Sequence, residues 1–186
     1  MDEVTIKVRL SARSDSPVEQ RTPGLRALAL TSSAFAGGPD RGPVLERAAS
    51  LLADALECGC TIRWLAERRG VRVAVGHPSP EDAAWLRGLV VKDRAGIAGA
   101  FDARVRQTRE PATLSYAWSA LLRLWTSSVY WPYLESHQIN GLLVMPLCTH
   151  QTVVGVLTTW REQPRGAFDA AEAAFVEEVS RRLALC

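Results

Sequence analysis

The sequence predicts an α+β domain, an antiparallel β-sheet with helices on both faces, and three observations carry the prediction. Two apolar runs, Gly141 to Cys148 and Thr152 to Trp160, flank His150-Gln151; the first is too short for a typical helix and the second is rich in β-branched residues, so together they read as a central hairpin buried on both faces. A second pair of segments alternates with a period of two: Ile62, Trp64 and Ala66 face one way, and Val71, Val73 and Val75 do the same after Glu67-Arg68-Arg69-Gly70. Apolar stripes of helical spacing stand before, between and after these hairpins, which is the element order of an α+β fold.

The bulk properties set the limits. At about 150 residues per domain, a chain of 186 residues reads as one domain, 40–186, preceded by an extension, 1–39. Hydrophobic residues make up 47% and charged residues 23%, the usage of a folded, soluble protein. The net charge is +2, with no basic stripe of the kind that phosphate-backbone binding needs, so nucleic acid is not expected as a partner. Nothing approaches the roughly 20 apolar residues of a membrane span, and Met1-Asp2-Glu3 does not open a signal peptide; a cytoplasmic protein away from membranes is expected. Lys7 and Lys92 are the only lysines, an arginine bias read as the coding habit of a GC-rich bacterium. Cysteines at 58, 60, 148 and 186 show neither zinc-ligand spacing nor a disulfide framework, and are expected to be reduced.

In chain order, Val4, Ile6, Val8 and Leu10 alternate as a half-buried strand does, Ser11 to Gly24 is linker-like, and Leu25 to Phe35 reads as a short helix stopped by Gly37-Gly38-Pro39. Pro43 opens a helix whose stripe is Leu45, Ala48, Leu52 and Ala55. Cys58-Gly59-Cys60 ends it and leads into the first hairpin. Ser79-Pro80-Glu81-Asp82 supplies an N-cap, a first-turn proline and an acidic first turn before Ala83 to Leu89. Ile97, Phe101 and Val105 line a further helix that Pro111 ends, and Ala112 to Leu114 form a short strand. From Tyr116 to His137 the chain is aromatic and helical in spacing, with Trp118, Leu121, Leu122, Trp125 and Val129 on one face. Asp169 and Glu172 form a capping box, Phe168 staples onto Ala173, and Phe175, Val176, Val179 and Leu183 are the buried stripe of a closing helix that Arg181-Arg182 finish.

The strand Leu142-Leu143-Val144-Met145-Pro146-Leu147, the strand Val153-Val154-Gly155-Val156-Leu157 and the helix start Phe168-Asp169 together resemble the GAF family, small-molecule sensor domains related to PAS domains. The pattern departs from the family's Val-Pro-Leu only by the inserted Met145. The resemblance spans about residues 43 to 185 and implies a bacterial, actinobacterial-type protein. Its sheet would have six strands or a similar number, with the first and last helices on one face and a ligand pocket on the other. It lacks the Asn-Lys-Xaa-Asp-Glu set of cyclic-nucleotide binders. No cysteine lies between Cys60 and Cys148 to carry a bilin. Cys58 and Cys60 are on the wrong side for the paired thiols of the methionine-sulfoxide-reductase relatives.

Nine residues are the candidates for the pocket: Trp64, Tyr116, Trp118, Trp125, Trp131, Tyr133, His137, Met145 and Cys148. The aromatic ones suit a planar ligand, with Trp N–H and Tyr O–H for orientation, or else they fill the core themselves. Met145 and Cys148 are soft side chains on a strand that should border the pocket, and core packing explains them equally well. In the haem-sensing relatives a proximal histidine stands just before the Val-Pro-Leu strand, and His137 occupies that place; the alternative is a solvated helix residue. Cys58-Gly59-Cys60 is a poor redox pair, because one intervening residue strains a disulfide. Ser115, Ser119 and Ser136 show no positioned His and carboxylate, so no catalytic apparatus is evident.

The expectation is therefore a regulatory domain, not an enzyme, that takes a small molecule under residues 116–138 and shifts its terminal helices, as a homodimer. It would be either a piece of a kinase, phosphatase or transcription regulator or a domain acting on a separate partner. Two alternatives stand beside it: a haem-based gas or redox sensor using His137, and a ligand-free dimerisation module whose cavity its own tryptophans fill.

Overall fold

The two apolar runs pair as the longest strands of the sheet. A computed structural model describes residues 41–66, 70–90, 100–115, 130–150 and 152–185. In chain order the elements are α1 (Arg41–Leu56), β1 (Gly59–Ala66), β2 (Gly70–Gly76), α2 (Pro80–Val90), α3 (Ala100–Thr108), β3 (Ala112–Ser115), α4 (Trp131–His137), β4 (Ile139–Thr149), β5 (Thr152–Glu162) and α5 (Ala170–Ala184). Among the described residues the sheet has five strands in the order β2-β1-β5-β4-β3, and every neighbouring pair is antiparallel. Residues 1–40, which include the extension, residues 67–69, Ile97 and the stretch with Tyr116, Trp118 and Trp125 lie outside the described residues.

Helices cover both faces of this sheet, and so both faces are apolar. On one, α1 and α5 bury Leu45, Leu52, Val176, Val179 and Leu183 against Ile62, Leu143 and Leu157. On the other, Leu86 of α2, Val105 of α3 and Tyr133 of α4 meet Val75, Leu142, Val156 and Trp160. β5 is central and β4 lies beside it, which is why these two strands read as continuous apolar runs rather than alternating ones.

The register corrects one reading. Ile62 pairs with Ala74 and Trp64 with Arg72, so Val73 and Val75 face away from Ile62 and Trp64, toward α2. Alternation fixes which residues of one strand share a face, but the parity between two strands depends on the turn that joins them. In α1 the buried stripe is Leu45, Ala48, Ala49, Leu52, Ala53 and Leu56, with Ala55 only half-buried; the spacing i, i+3, i+4, i+7, i+8, i+11 follows the 3.6-residue period. Phe175 is likewise half-buried beside Val176 and Val179.

The helix starts are the local chemistry expected. Ser79 Oγ accepts the amide of Asp82 at 3.3 Å. Asp169 Oδ1 accepts the amide of Glu172 at 2.8 Å, and Glu172 Oε2 accepts that of Asp169 at 2.9 Å, a complete capping box. Gly59 has a packing reason: the indole of Trp160 lies so close across it that a Cβ would fall 2.0 Å from the ring.

Candidate functional site

The face under α2, α3 and α4 buries an ion pair and two threonines among its apolar residues. Arg63 on β1 projects among Val73 and Val156, its cross-strand partners, and ion-pairs with Asp102 of α3; side-chain exposures are 7% and 3%. Thr61 and Thr158 face each other on the same side and are buried. Tyr130, at the start of α4, is fully buried nearby in sequence to Tyr133 and belongs to the same apolar cluster.

At one end of this face a hydrogen-bonded network joins three elements. His77 lies in the β2–α2 loop, and the amide of Ser79 donates to its Nδ1 at 3.0 Å. That bond places the ring proton on Nε2, a tautomer assigned from the network, where it meets Glu162 Oε1 at 3.1 Å and Tyr133 Oη at 3.0 Å. The Tyr133 hydroxyl donates to Glu162 and accepts from Trp160 Nε1 at 3.1 Å. Burial and the adjacent Glu162 carboxylate push the Tyr133 hydroxyl well above its ordinary value, so it remains a donor. Burial alone would raise Glu162, but hydrogen bonds from His77 and Tyr133 outweigh it and hold the carboxyl below the ordinary range. The ring of Tyr133 lies between those of Trp85 and His137, stacked at centroid distances of 5.4 and 4.1 Å.

His137 Nε2 is 3.4 Å from Asp82 Oδ1, while its Nδ1 lies 2.9 Å from the carbonyl of Tyr133 and 2.8 Å from Ser136 Oγ. The structure thus brings a serine, a histidine and a carboxylate together where the sequence shows no such set. Ser136 also donates to the Tyr133 carbonyl at 3.0 Å, near the C-terminal end of α4, where carbonyls rather than N–H groups converge. That is the opposite of an oxyanion hole, and the set serves to finish the helix. It also bears on haem: both His137 nitrogens are engaged and its ring is stacked on Tyr133, so the residue does not fit an iron ligand. Among the described residues, no group of three His, Cys, Asp or Glu side chains is placed to hold a metal ion.

Of the nine predicted residues, Tyr133 and His137 meet in this network. Trp64 and Met145 belong instead to the cluster under α1 and α5, across the sheet, with the Arg41 guanidinium over the Trp64 ring at 4.7 Å. Their strand parity puts them there: Met145 pairs with Leu157 and Trp64 with Gly155. Cys148 is half-buried near the far end of β4, nine residues from Ile139, about 30 Å at 3.3 Å per residue. Tyr116, Trp118 and Trp125 lie outside the described residues, as does the side chain of Trp131. Cys58 and Cys60 are buried under α1; burial pushes the Cys58 thiol up to about 12 and Cys60 well above the ordinary value.

Six residues escaped the sequence reading: Arg63, His77, Asp82, Asp102, Trp160 and Glu162. Arg63 left a signal, a charged residue inside an alternating strand whose second face is also covered. His77 and Glu162 left none, since they are 85 residues apart and only the sheet order brings them together.

No curated protein matches this chain. Solved structures do match. A GAF domain from a phosphoenolpyruvate-protein phosphotransferase of Coxiella burnetii is 18% identical with a TM-score of 0.63, over 88% of this chain and 92% of that one. A free methionine-R-sulfoxide reductase from Neisseria meningitidis, in complex with its substrate, is 14% identical with a TM-score of 0.60, over 94% and 93%. The GAF domain of a sensor histidine kinase from Pseudomonas syringae pv. tomato is 15% identical with a TM-score of 0.53, over 90% and 88%. At these identities the likeness shows the fold. The model of the GAF domain family matches residues 40–186, and the chain belongs to that family.

Proposed function

We propose that this GAF domain is a sensory module that binds a small polar molecule against the face under α2, α3 and α4, and signals through α1 and α5 on the opposite face. The observation that carries the proposal is the division of labour between the faces. The terminal helices pack on one, and on the other a buried Arg63–Asp102 pair, Thr61 and Thr158 supply oriented donors and acceptors amid apolar walls, the composition of a small-molecule site. Family membership supports it, since GAF domains are mostly regulatory and small-molecule binding. A binding event biases only an equilibrium between states it contacts differently, so the signal requires that α2, α3 or α4 shift on binding.

Within this reading the domain acts in the cytoplasm of a bacterium as a homodimer and hands its signal to an output domain or a partner protein. Among the described residues no helix is long and apolar enough to cross a membrane. Some matched structures are enzymes, the reductase among them. Thiol chemistry is disfavoured here because Cys58 and Cys60 lie on the other face with raised pKa values and Cys148 is remote from both.

The test is native mass spectrometry of the purified protein, followed by a thermal-shift screen of polar metabolites against wild type and Thr158→Val. A retained or stabilising molecule whose effect is lost in the variant supports the proposal. A protein that retains nothing and that no metabolite stabilises is the ligand-free interaction module instead.

A further inference from the structure

Consecutive residues of a strand point to opposite faces of its sheet, and at the end of β5 two consecutive residues are charged. Glu162 holds Tyr133 and His77 on the α4 face. Arg161, one residue earlier, faces the terminal helices. Its Nη1 donates to Glu172 Oε2 at 2.9 Å and its Nη2 to the carbonyl of Leu56 at 3.2 Å, and its guanidinium lies 4.5 Å over the Phe168 ring. Leu56 is the last residue of α1, and Glu172 is the capping-box residue of α5. One side chain therefore ties the end of α1 to the start of α5.

The backbone at this point is paired on one side only. Pairing with β1 ends at Gly59 and Trp160, and beyond it the strand has β4 alone, across a register irregularity between Ile139 and Gly141. From Gly155 to Trp160, β5 is bonded to a strand on either side. Besides their pairing with β4, Arg161 and Glu162 are held by their side chains, through charge-assisted hydrogen bonds on either face.

We propose that Arg161 and Glu162 form a lever through the sheet: a change in the seating of Tyr133 on α4 displaces Glu162, and with it the hold of Arg161 on the ends of α1 and α5. Glu162 is here a positioning residue for Arg161. The proposal takes from the ligand-binding reading only the cause that moves α4; the coupling itself is a property of the free protein. Coupling between two sites is reciprocal, so loosening either end loosens the other.

The experiment is amide hydrogen exchange, read by NMR on the full chain without ligand. Tyr133→Phe removes the hydroxyl from Glu162 and keeps the ring. Exchange is then expected to quicken about fivefold or more at the first-turn amide of Ala173 in α5 and at the amide of Cys58 beyond α1, the lower end of typical coupling factors, while the amides of Val179 and Leu183 stay as they are. Arg161→Lys, which leaves one donor in place of the fork, should produce the same change. The double variant should exchange no faster than the stronger single one. Val105→Ala loosens α3 on the same face, leaves the Tyr133–Glu162 bond in place and should leave Ala173 and Cys58 unchanged. Unchanged exchange in Tyr133→Phe, multiplying effects in the double variant, or an equal response to Val105→Ala each overturn the lever. Failure here leaves the small-molecule proposal standing, and a protein that binds no metabolite leaves the lever standing.

Discussion

Arg63 of β1 and Asp102 of α3 form an ion pair at the middle of a helix-covered sheet face, with both side chains almost wholly out of water. Breaking a buried ion pair by removing one partner costs about 3–5 kcal/mol. Arg63→Met and Asp102→Asn are each expected to lower the urea midpoint steeply, and Arg63→Met combined with Asp102→Leu to recover much of the loss. A double variant as weak as the sum of the singles would show that the two side chains act independently.

The second prediction concerns acid. Glu162 has a folded-state pKa held below its ordinary 4.5, so it contributes stability above that value and loses it as pH falls through the lower, folded value. Thermal midpoints of wild type should therefore decline below about pH 4.5, and Glu162→Gln should show a shallower decline over the same window. Identical slopes would remove Glu162 from the account.

A third concerns the thiols. With Cys58 pushed up to about 12 and Cys60 higher still, both stay protonated and enclosed at neutral pH. Alkylation of the native protein at pH 8 followed by peptide mapping should leave Cys58 and Cys60 unmodified while the half-buried Cys148 reacts. Modification of Cys58 or Cys60 in the folded protein would contradict the burial.

Cys58-Gly59-Cys60 has its explanation in packing. Any side chain at residue 59 must displace the Trp160 indole, which is itself tied to Tyr133. Gly59→Ala is expected to cost about 1–3 kcal/mol as an overpacked core does, and more where the Trp160–Tyr133 bond is lost. Denaturant unfolding followed by tryptophan fluorescence measures it.

Thr159 points the other way, toward α1 and α5, paired with Cys60 and Leu143, and among the described residues its hydroxyl has no partner. An orphaned buried hydroxyl costs about 1–3 kcal/mol. Thr159→Val keeps the branched shape and is expected to raise the melting temperature or leave it unchanged. A clear drop would reveal a hydrogen bond to buried water.

The sheet and its helices were legible because each element announces itself locally. The β4–β5 hairpin shows in two apolar runs, α2 in Ser79-Pro80 and α5 in Asp169 and Glu172 at capping-box spacing, a pattern that requires only neighbours in sequence. The candidate site was half legible. Tyr133 and His137 stand out in an aromatic segment, but which face a residue serves depends on strand parity, which puts Trp64 and Met145 across the sheet from Tyr133. Glu162 and His77 become partners only once β1 lies between β2 and β5, a fact no short window contains.

β1 lies next to β5, and more than half of the domain is synthesised between them. The β4–β5 hairpin closes over a two-residue connection, a local event. The layer begun by α1, β1 and β2 has no inner neighbour until that hairpin arrives. A ribosome-released chain stopped at Cys148 would carry four of the five strands yet leave β1 with a bare edge, and circular dichroism of such a fragment is expected to show an unfolded chain. The last fifth of the sequence thus decides whether everything before it holds a shape.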